Sequence, residues 1–162
     1  AAGAHIFNEI GAGQMDEGVF DYIVKNQVPY ILMHMRGIPE NMQEKTDYTD
    51  IVTDVATFLG DRIATLRSMG VKDIILDPGF GFAKTVEQNY ELLYRVNELH
   101  YFELPILGGI SRKSMIYKKL NITPEEALNG TSALNTVALL KGASILRVHD
   151  VKEAKQLISL LF

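Results

Sequence analysis

The stretch Asp73-Ile74-Ile75-Leu76-Asp77-Pro78-Gly79-Phe80-Gly81-Phe82-Ala83-Lys84 decides the fold. A short apolar run bounded by turn residues reads as a strand buried on both faces, as in a parallel sheet. This one stops on a carboxylate followed by a glycine-rich, aromatic turn. The same grammar recurs four times. Ala4-His5-Ile6-Phe7 runs into Asn8-Glu9, and Tyr30-Ile31-Leu32-Met33 into His34-Met35-Arg36-Gly37. Pro105 to Ile110 runs into Ser111-Arg112-Lys113-Ser114, and Ala143-Ser144-Ile145-Leu146 into Arg147-Val148-His149-Asp150. Each strand hands polar groups to its C-terminal end, where (β/α) barrels build their sites.

Helix-length segments lie between the strands. Asp16 to Asn26 gathers Val19, Phe20 and Ile23 on one face, and about Asp47 to Met69 repeats apolar residues at helical spacing until Gly70. Val86 to Tyr101 reads as a third helix and Ser114 to Leu120 as a short fourth. Thr123-Pro124-Glu125-Glu126 has the form of a capping box opening another helix, with Thr131 to Lys141 continuing helically. Asp150 with Glu153 three residues on opens a terminal helix to Phe162. Strands alternating with helices predict an α/β fold, a parallel sheet with covered faces. Residues 1–162 are expected to form one domain of about five βα units, whereas a complete eight-unit barrel takes roughly 250 residues.

The composition excludes several classes. The chain has 162 residues, 47% hydrophobic, a formal charge of −4 and no cysteine. Without a basic stripe, nucleic acid is not an expected partner, although a local cluster of Arg and Lys can still hold a small anion. Disulfides, thiolate catalysis and cysteine-ligated metal are impossible. No apolar run approaches the ~20 residues of a membrane span, so a soluble, cytoplasmic protein is expected. Ala1-Ala2-Gly3-Ala4 carries no initiator Met, and something is expected to have preceded it.

Chemistry concentrates at the strand ends. Asp77 can accept two parallel hydrogen bonds from an amidine-like edge. The competing reading is a turn or capping Asp before Pro78. Gly79 and Gly81 let backbone approach a flat ligand, and Phe82 offers a stacking face. Ser111-Arg112-Lys113-Ser114 puts two cations beside two hydroxyls, against the plainer reading of a solvated basic turn. Arg147 and His149 alternate on the last strand, so they share a side and could grip a phosphate, unless Arg147 merely pairs with Asp150. Asn8 could serve a heterocycle edge. His34, flanked by Met33 and Met35, reads as packing rather than a metal site, and His5 and His100 as structural or exposed.

Five blocks carry a resemblance: Met33-His34-Met35-Arg36-Gly37, Asp77 to Phe82, Gly109 to Ser114, Gly130-Thr131, and Arg147-Val148-His149-Asp150-Val151. In this order they resemble dihydropteroate synthase. The resemblance implies a TIM-type (β/α)₈ barrel and a transferase of folate biosynthesis, of which this chain looks like strands four to eight. It joins 6-hydroxymethyl-7,8-dihydropterin diphosphate to 4-aminobenzoate and releases pyrophosphate. It assigns Asn8, Asp77, Lys113, Met33 and Gly109 to the pterin, and Arg147 and His149 to the pyrophosphate. Phe82, Arg112 and Ser114 fall near the aminobenzoate, and Arg147, His149 and Lys113 become the catalytic candidates. It also implies Mg2+, held by a residue outside this chain, and a homodimer. The alternatives are a pterin-binding methyltransferase barrel and a half-barrel that binds pterin without turnover. Without strands one to three, this chain alone is not expected to be active.

Overall fold

A computed structural model describes residues 3–16 and 18–162. Five strands, all parallel, follow one another in chain order: β1 (Phe7–Glu9), β2 (Tyr30–Met33), β3 (Ile74–Asp77), β4 (Leu107–Gly108) and β5 (Ile145–Leu146). β1, β2 and β3 form one ladder and β4 with β5 another. A parallel bridge between Leu76 and Ile106 joins them, with Leu76 N donating to Pro105 O at 2.8 Å. The helices are α1 (Gly18–Asn26), α2 (Ile51–Ser68), α3 (Val86–Tyr94), α4 (Ser114–Leu120), α5 (Leu128–Leu140) and α6 (Val151–Leu161). The described residues form an open wall of parallel strands, each followed by a helix, not a closed barrel.

The period of two along each strand gives the wall two faces. Tyr30, Leu32, Ile74 and Leu76 point to the helices and join a core built with Ile51, Val55, Leu59, Ile63 and Leu66 of α2. Register places Asn8 beside Ile31, Ile31 beside Ile75, and Met33 beside Asp77 on the opposite face. Burying each large apolar side chain of the helix face stabilises by about 1.5–3 kcal/mol, so the helices hold the wall and leave the other face for chemistry.

Side-chain caps start α2 and α3. Asp50 accepts from Thr53 N at 2.8 Å to start α2, and Gly70, at φ +90°, takes the chain out of it. Thr85 and Gln88 form a reciprocal capping box at the start of α3. Elsewhere the structure departs from the sequence reading. The second helix begins at Ile51 rather than near Asp47, because Arg36 donates to Asp47 O and its guanidinium lies 3.8 Å from the Tyr48 ring centre. Those contacts hold residues 47–49 in a non-helical approach. The third helix stops at Tyr94 and continues as a 3-10 segment, Val96–Phe102. Arg95, at the break, spends its guanidinium on Asp50, Glu91 and Glu98.

The box at Thr123 closes by half. Thr123 N donates to Glu126 Oε2 at 2.9 Å, yet residues 124–127 are turn and α5 starts only at Leu128. Asp150 stands at the start of α6 but makes no side-chain cap, because its carboxylate is bound by Arg112. The fourth and fifth strands are two residues each, shorter than the apolar runs containing them.

Candidate active site

Asp77, the last residue of β3, has no exposed surface. Its Oδ1 accepts from Gly79 N at 2.8 Å, which folds the turn back over the strand end. Its Oδ2 lies 3.0 Å from Arg147 Nη2. No N–H is aligned on that oxygen, so it is buried without a hydrogen bond. An unsatisfied buried carboxylate oxygen costs about 1–3 kcal/mol or more, and a donor pair presented edge-on would relieve that cost.

Arg147 lies beyond the end of β5 rather than within it, and His149 lies two residues further into the connection to α6. The strand-alternation argument for this pair therefore fails, and other contacts bring them to the site. Arg147 N donates to Gly108 O at 3.1 Å, extending the β4–β5 ladder by one bond. Its guanidinium crosses Gly109 to reach Asp77. A Cβ on Gly109 would sit 2.7 Å from Arg147 Nη2, so a side chain there would make the guanidinium shift from this path. His149 is held by Ser111. Its N–H donates to Ser111 Oγ at 3.2 Å, and its Nδ1 lies 3.0 Å from the same oxygen. With one proton and two lone pairs, the hydroxyl can donate to Nδ1 or accept from it, and in either case the pair fixes the orientation of the ring.

Lys113 reaches over the turn after β3. Its Nζ donates to Phe80 O and sits 4.6 Å from the centre of the Phe82 ring. Burial pushes this ammonium down to about 8, with Asp77 pulling it up and Arg147 pushing it further down. Asn8 is exposed on β1, Met33 is fully buried on β2, and both share the sheet face of Asp77. Ser114 is the first residue of α4 and partly buried.

Arg112 is engaged elsewhere. It grips both Asp150 oxygens at 2.7 and 2.9 Å and donates to Pro124 O and Glu125 O. Four of its five N–H donors are spent on the protein. The pairing weighed for Arg147 with Asp150 therefore belongs to Arg112.

Sequence reasoning missed three contributors: Ser111, His34 and Lys84. Ser111 sat inside a quoted motif, and only its contact with His149 reveals its role. His34 does pack, its ring 5.0 Å and edge-on to Phe58, and burial beside Lys84 and Arg36 pushes its pKa down to about 2, so it is neutral. Lys84 is almost fully buried and bonded to His34 Nδ1 at 2.9 Å. Nothing in the sequence separates it from a surface lysine.

The expected Mg2+ finds no ligand set here. Among the described residues no three His, Asp or Glu side chains gather as a metal-holding group. The site's one carboxylate among them faces Arg147 and Gly79 N. Among those same residues no helix is long and apolar enough to cross a membrane.

The chain is similar to known proteins in sequence and in fold. The dihydropteroate synthase of Escherichia coli (strain K12) is 44% identical over 153 residues, covering 93% of this chain and 54% of that protein. A crystal structure of the Yersinia pestis dihydropteroate synthase with a sulfonamide drug complex has a TM-score of 0.95 at 42% identity, covering 99% of this chain and 58% of that one. The Thermus thermophilus dihydropteroate synthase in complex with 6HMPPP gives a TM-score of 0.92 at 34% identity, with coverage of 98% and 63%. The chain thus spans about half the length of the curated relatives it matches. Residues 1–149 match the family model described as pterin binding enzyme, and the chain belongs to that family.

Proposed function

We propose that the protein carrying this chain is a dihydropteroate synthase, a transferase that condenses 6-hydroxymethyl-7,8-dihydropterin diphosphate with 4-aminobenzoate. The observation that carries the reading is Asp77 Oδ2, buried and without an aligned donor on the face that also holds Asn8 and Met33. A pterin's 2-amino and N3–H groups present two parallel donors of the kind this carboxylate lacks. They would take the place of Arg147 beside Oδ2 and free its guanidinium for the diphosphate.

The reaction needs little proton chemistry. The arylamine nitrogen attacks the pterin's methylene carbon, the carbon–oxygen bond to the diphosphate breaks, and pyrophosphate leaves with the electron pair. The amine then gives up one proton. Developing negative charge on the leaving group is what must be stabilised. Arg147 and the imidazole of His149, oriented by Ser111, would face it. Lys113 and Asp77 would orient the pterin. Phe82 and Ser114 would flank the aminobenzoate, with Arg112 bracing that wall from behind.

The methyltransferase alternative gains no support, since it gives Arg147 and the Ser111–His149 pair no anion to hold. The second reading, pterin binding without turnover, is favoured by the open wall: β1 and β5 end the sheet without partners among the described residues. A homodimer remains part of the proposal. Leu160 and Phe162, at the end of α6, are more than four-fifths exposed, which suits a protein–protein contact. We place the reaction in the cytoplasm, consistent with a cysteine-free chain.

The test is direct. Pyrophosphate release dependent on both substrates, from the protein in its full natural length, supports the synthase. Pterin binding without release supports the second reading, and no pterin binding refutes both.

A further inference from the structure

The turn Gly79–Phe82 makes no sheet ladder, yet side chains answer all four of its carbonyls. Lys84 Nζ donates to Gly79 O and to Phe82 O, each at 3.0 Å. Lys113 Nζ donates to Phe80 O, and Gln43 Nε2 to Gly81 O at 3.3 Å. On the donor side, Gly81 N is taken by the buried Asn89 Oδ1 at 2.6 Å. Lys84 alone holds both ends of the turn. Its third contact is His34 Nδ1, just past the end of β2.

An ammonium has three hydrogens and no lone pair. Lys84 offers all three to the protein, so none remains for a ligand. It lies 4% exposed, with no carboxylate among the described residues within ion-pair distance. Burying a cation among neutral acceptors is costly, and an apolar side chain of similar length would fill the same space. The His34 contact also tolerates loss of the proton. A charged lysine donates to a bare Nδ1, whereas a neutral amine can accept from an Nδ1–H and still donate to both carbonyls.

We propose that Lys84 is a positioning residue for the pterin site. By tying both ends of the Gly79–Phe82 turn to His34, it sets the aim of the Asp77 carboxylate and the Phe82 ring without touching substrate. The inference rests on the pterin-site reading above.

The test compares wild type, Lys84→Met and His34→Phe in the full natural protein. Affinities for 6-hydroxymethylpterin and for pyrophosphate are measured separately by titration calorimetry. Thermal melting checks folding at the assay temperature. Lys84→Met is expected to weaken pterin binding tenfold or more and leave pyrophosphate binding within twofold, because Arg147 and His149 are carried by another loop. A general lesion would weaken both ligands together, and that outcome overturns the proposal. So does unchanged pterin affinity. If Lys84→Met does not fold, His34→Phe decides. It keeps a ring against Phe58 but removes one of three acceptors, and a three- to tenfold loss confined to pterin is expected. Unchanged pterin affinity in that variant is equally fatal. Wild-type protein that binds no pterin overturns the site reading itself, and this inference with it.

Discussion

Replacing Asp77 by Asn isolates the charge and the acceptor at Oδ2 while keeping the shape. The amide oxygen can still accept from Gly79 N, the 2.8 Å bond that folds the turn. The NH2 group then stands where Oδ2 faced Arg147. Folding should change little, because the variant exchanges a pair between a fully buried carboxylate and an arginine 37% exposed for a neutral amide of the same shape, which also removes the cost of burying a charge, for a net of about 0–1 kcal/mol. That amounts to a melting shift of at most about 4 °C for a chain of this size. Pterin binding should suffer far more. One charged acceptor is lost, and a donor now faces the pterin's own donors. A hydrogen bond to a charged group contributes about 1.5–3 kcal/mol. With the opposed donor added, we expect about 3 kcal/mol, somewhat over a hundredfold in Kd. Calorimetric titration of 6-hydroxymethylpterin into wild type and variant reads this directly. A folded Asp77→Asn protein that binds pterin within threefold of wild type would refute the assignment of Oδ2 as the pterin acceptor.

Further outcomes follow from the same geometry. Arg147→Ala should lower kcat/KM by about 3 kcal/mol of transition-state stabilisation, the scale for one preorganised donor, and unchanged turnover in the complete enzyme would remove Arg147 from the mechanism. Gly79→Ala should destabilise by about 2–4 kcal/mol. Its φ of +71° disfavours a side chain and the new methyl would overlap the His34 carbonyl oxygen, so an unshifted denaturation midpoint would contradict the turn geometry. Stability should also climb with pH above neutrality. Burial lowers Lys84 to about 7 and Lys113 to about 8, Asp77 opposing in both cases. Between those values and the ordinary lysine value the unfolded chain holds more protons, so ∂ΔG/∂pH is positive. Denaturant midpoints at pH 7 and 9 test the sign. Lys84→Met should flatten the slope, and a flat wild-type profile would sink the account.

The parts of the fold legible in the sequence were those set by local chemistry. The run Ile74 to Leu76, the helical spacing through Ile51 to Leu66 and the short helix at Ser114 correspond to observed elements. Competition between local signals and distant partners was not legible. Asp150 looks like a helix cap, and Arg112, 38 residues away, takes it as an ion-pair partner instead. The third helix tightens to 3-10 after Tyr94, where Arg95 is drawn to Asp50 at the start of α2. At the site, strand ends drew attention to Asp77, Lys113 and Arg147, because a parallel sheet puts its strand termini on one rim. The supports stayed hidden. Lys84 and His34 are 50 residues apart, and neither residue type announces burial. Ser111 differs from an ordinary turn serine only through its contact with His149.

The two faces of the wall set how strong the site's interactions are. The helix face is closed by α2, α3 and α5, and Leu76, Leu92 and Ile106 there are fully buried. On the other face Asn8 is exposed and Arg147 is 37% exposed. A charge pair about 4 Å apart gains ~1 kcal/mol in bulk water and ~4 kcal/mol near a protein surface. On the proposed reading, the same Arg147, Lys113 and Asp77 would hold a diphosphorylated pterin weakly when the face is wet and strongly when it is covered. Salt discriminates the two conditions, because exposed charges are screened within about 8–10 Å at physiological ionic strength and buried ones far less. For residues 1–162 alone, pterin diphosphate binding should weaken steeply between about 0.05 and 0.5 M salt. In the full natural protein the slope should be shallower. Equal slopes in the two would mean that covering this face does not strengthen the site, and the charge-stabilised departure of pyrophosphate would lose its physical basis.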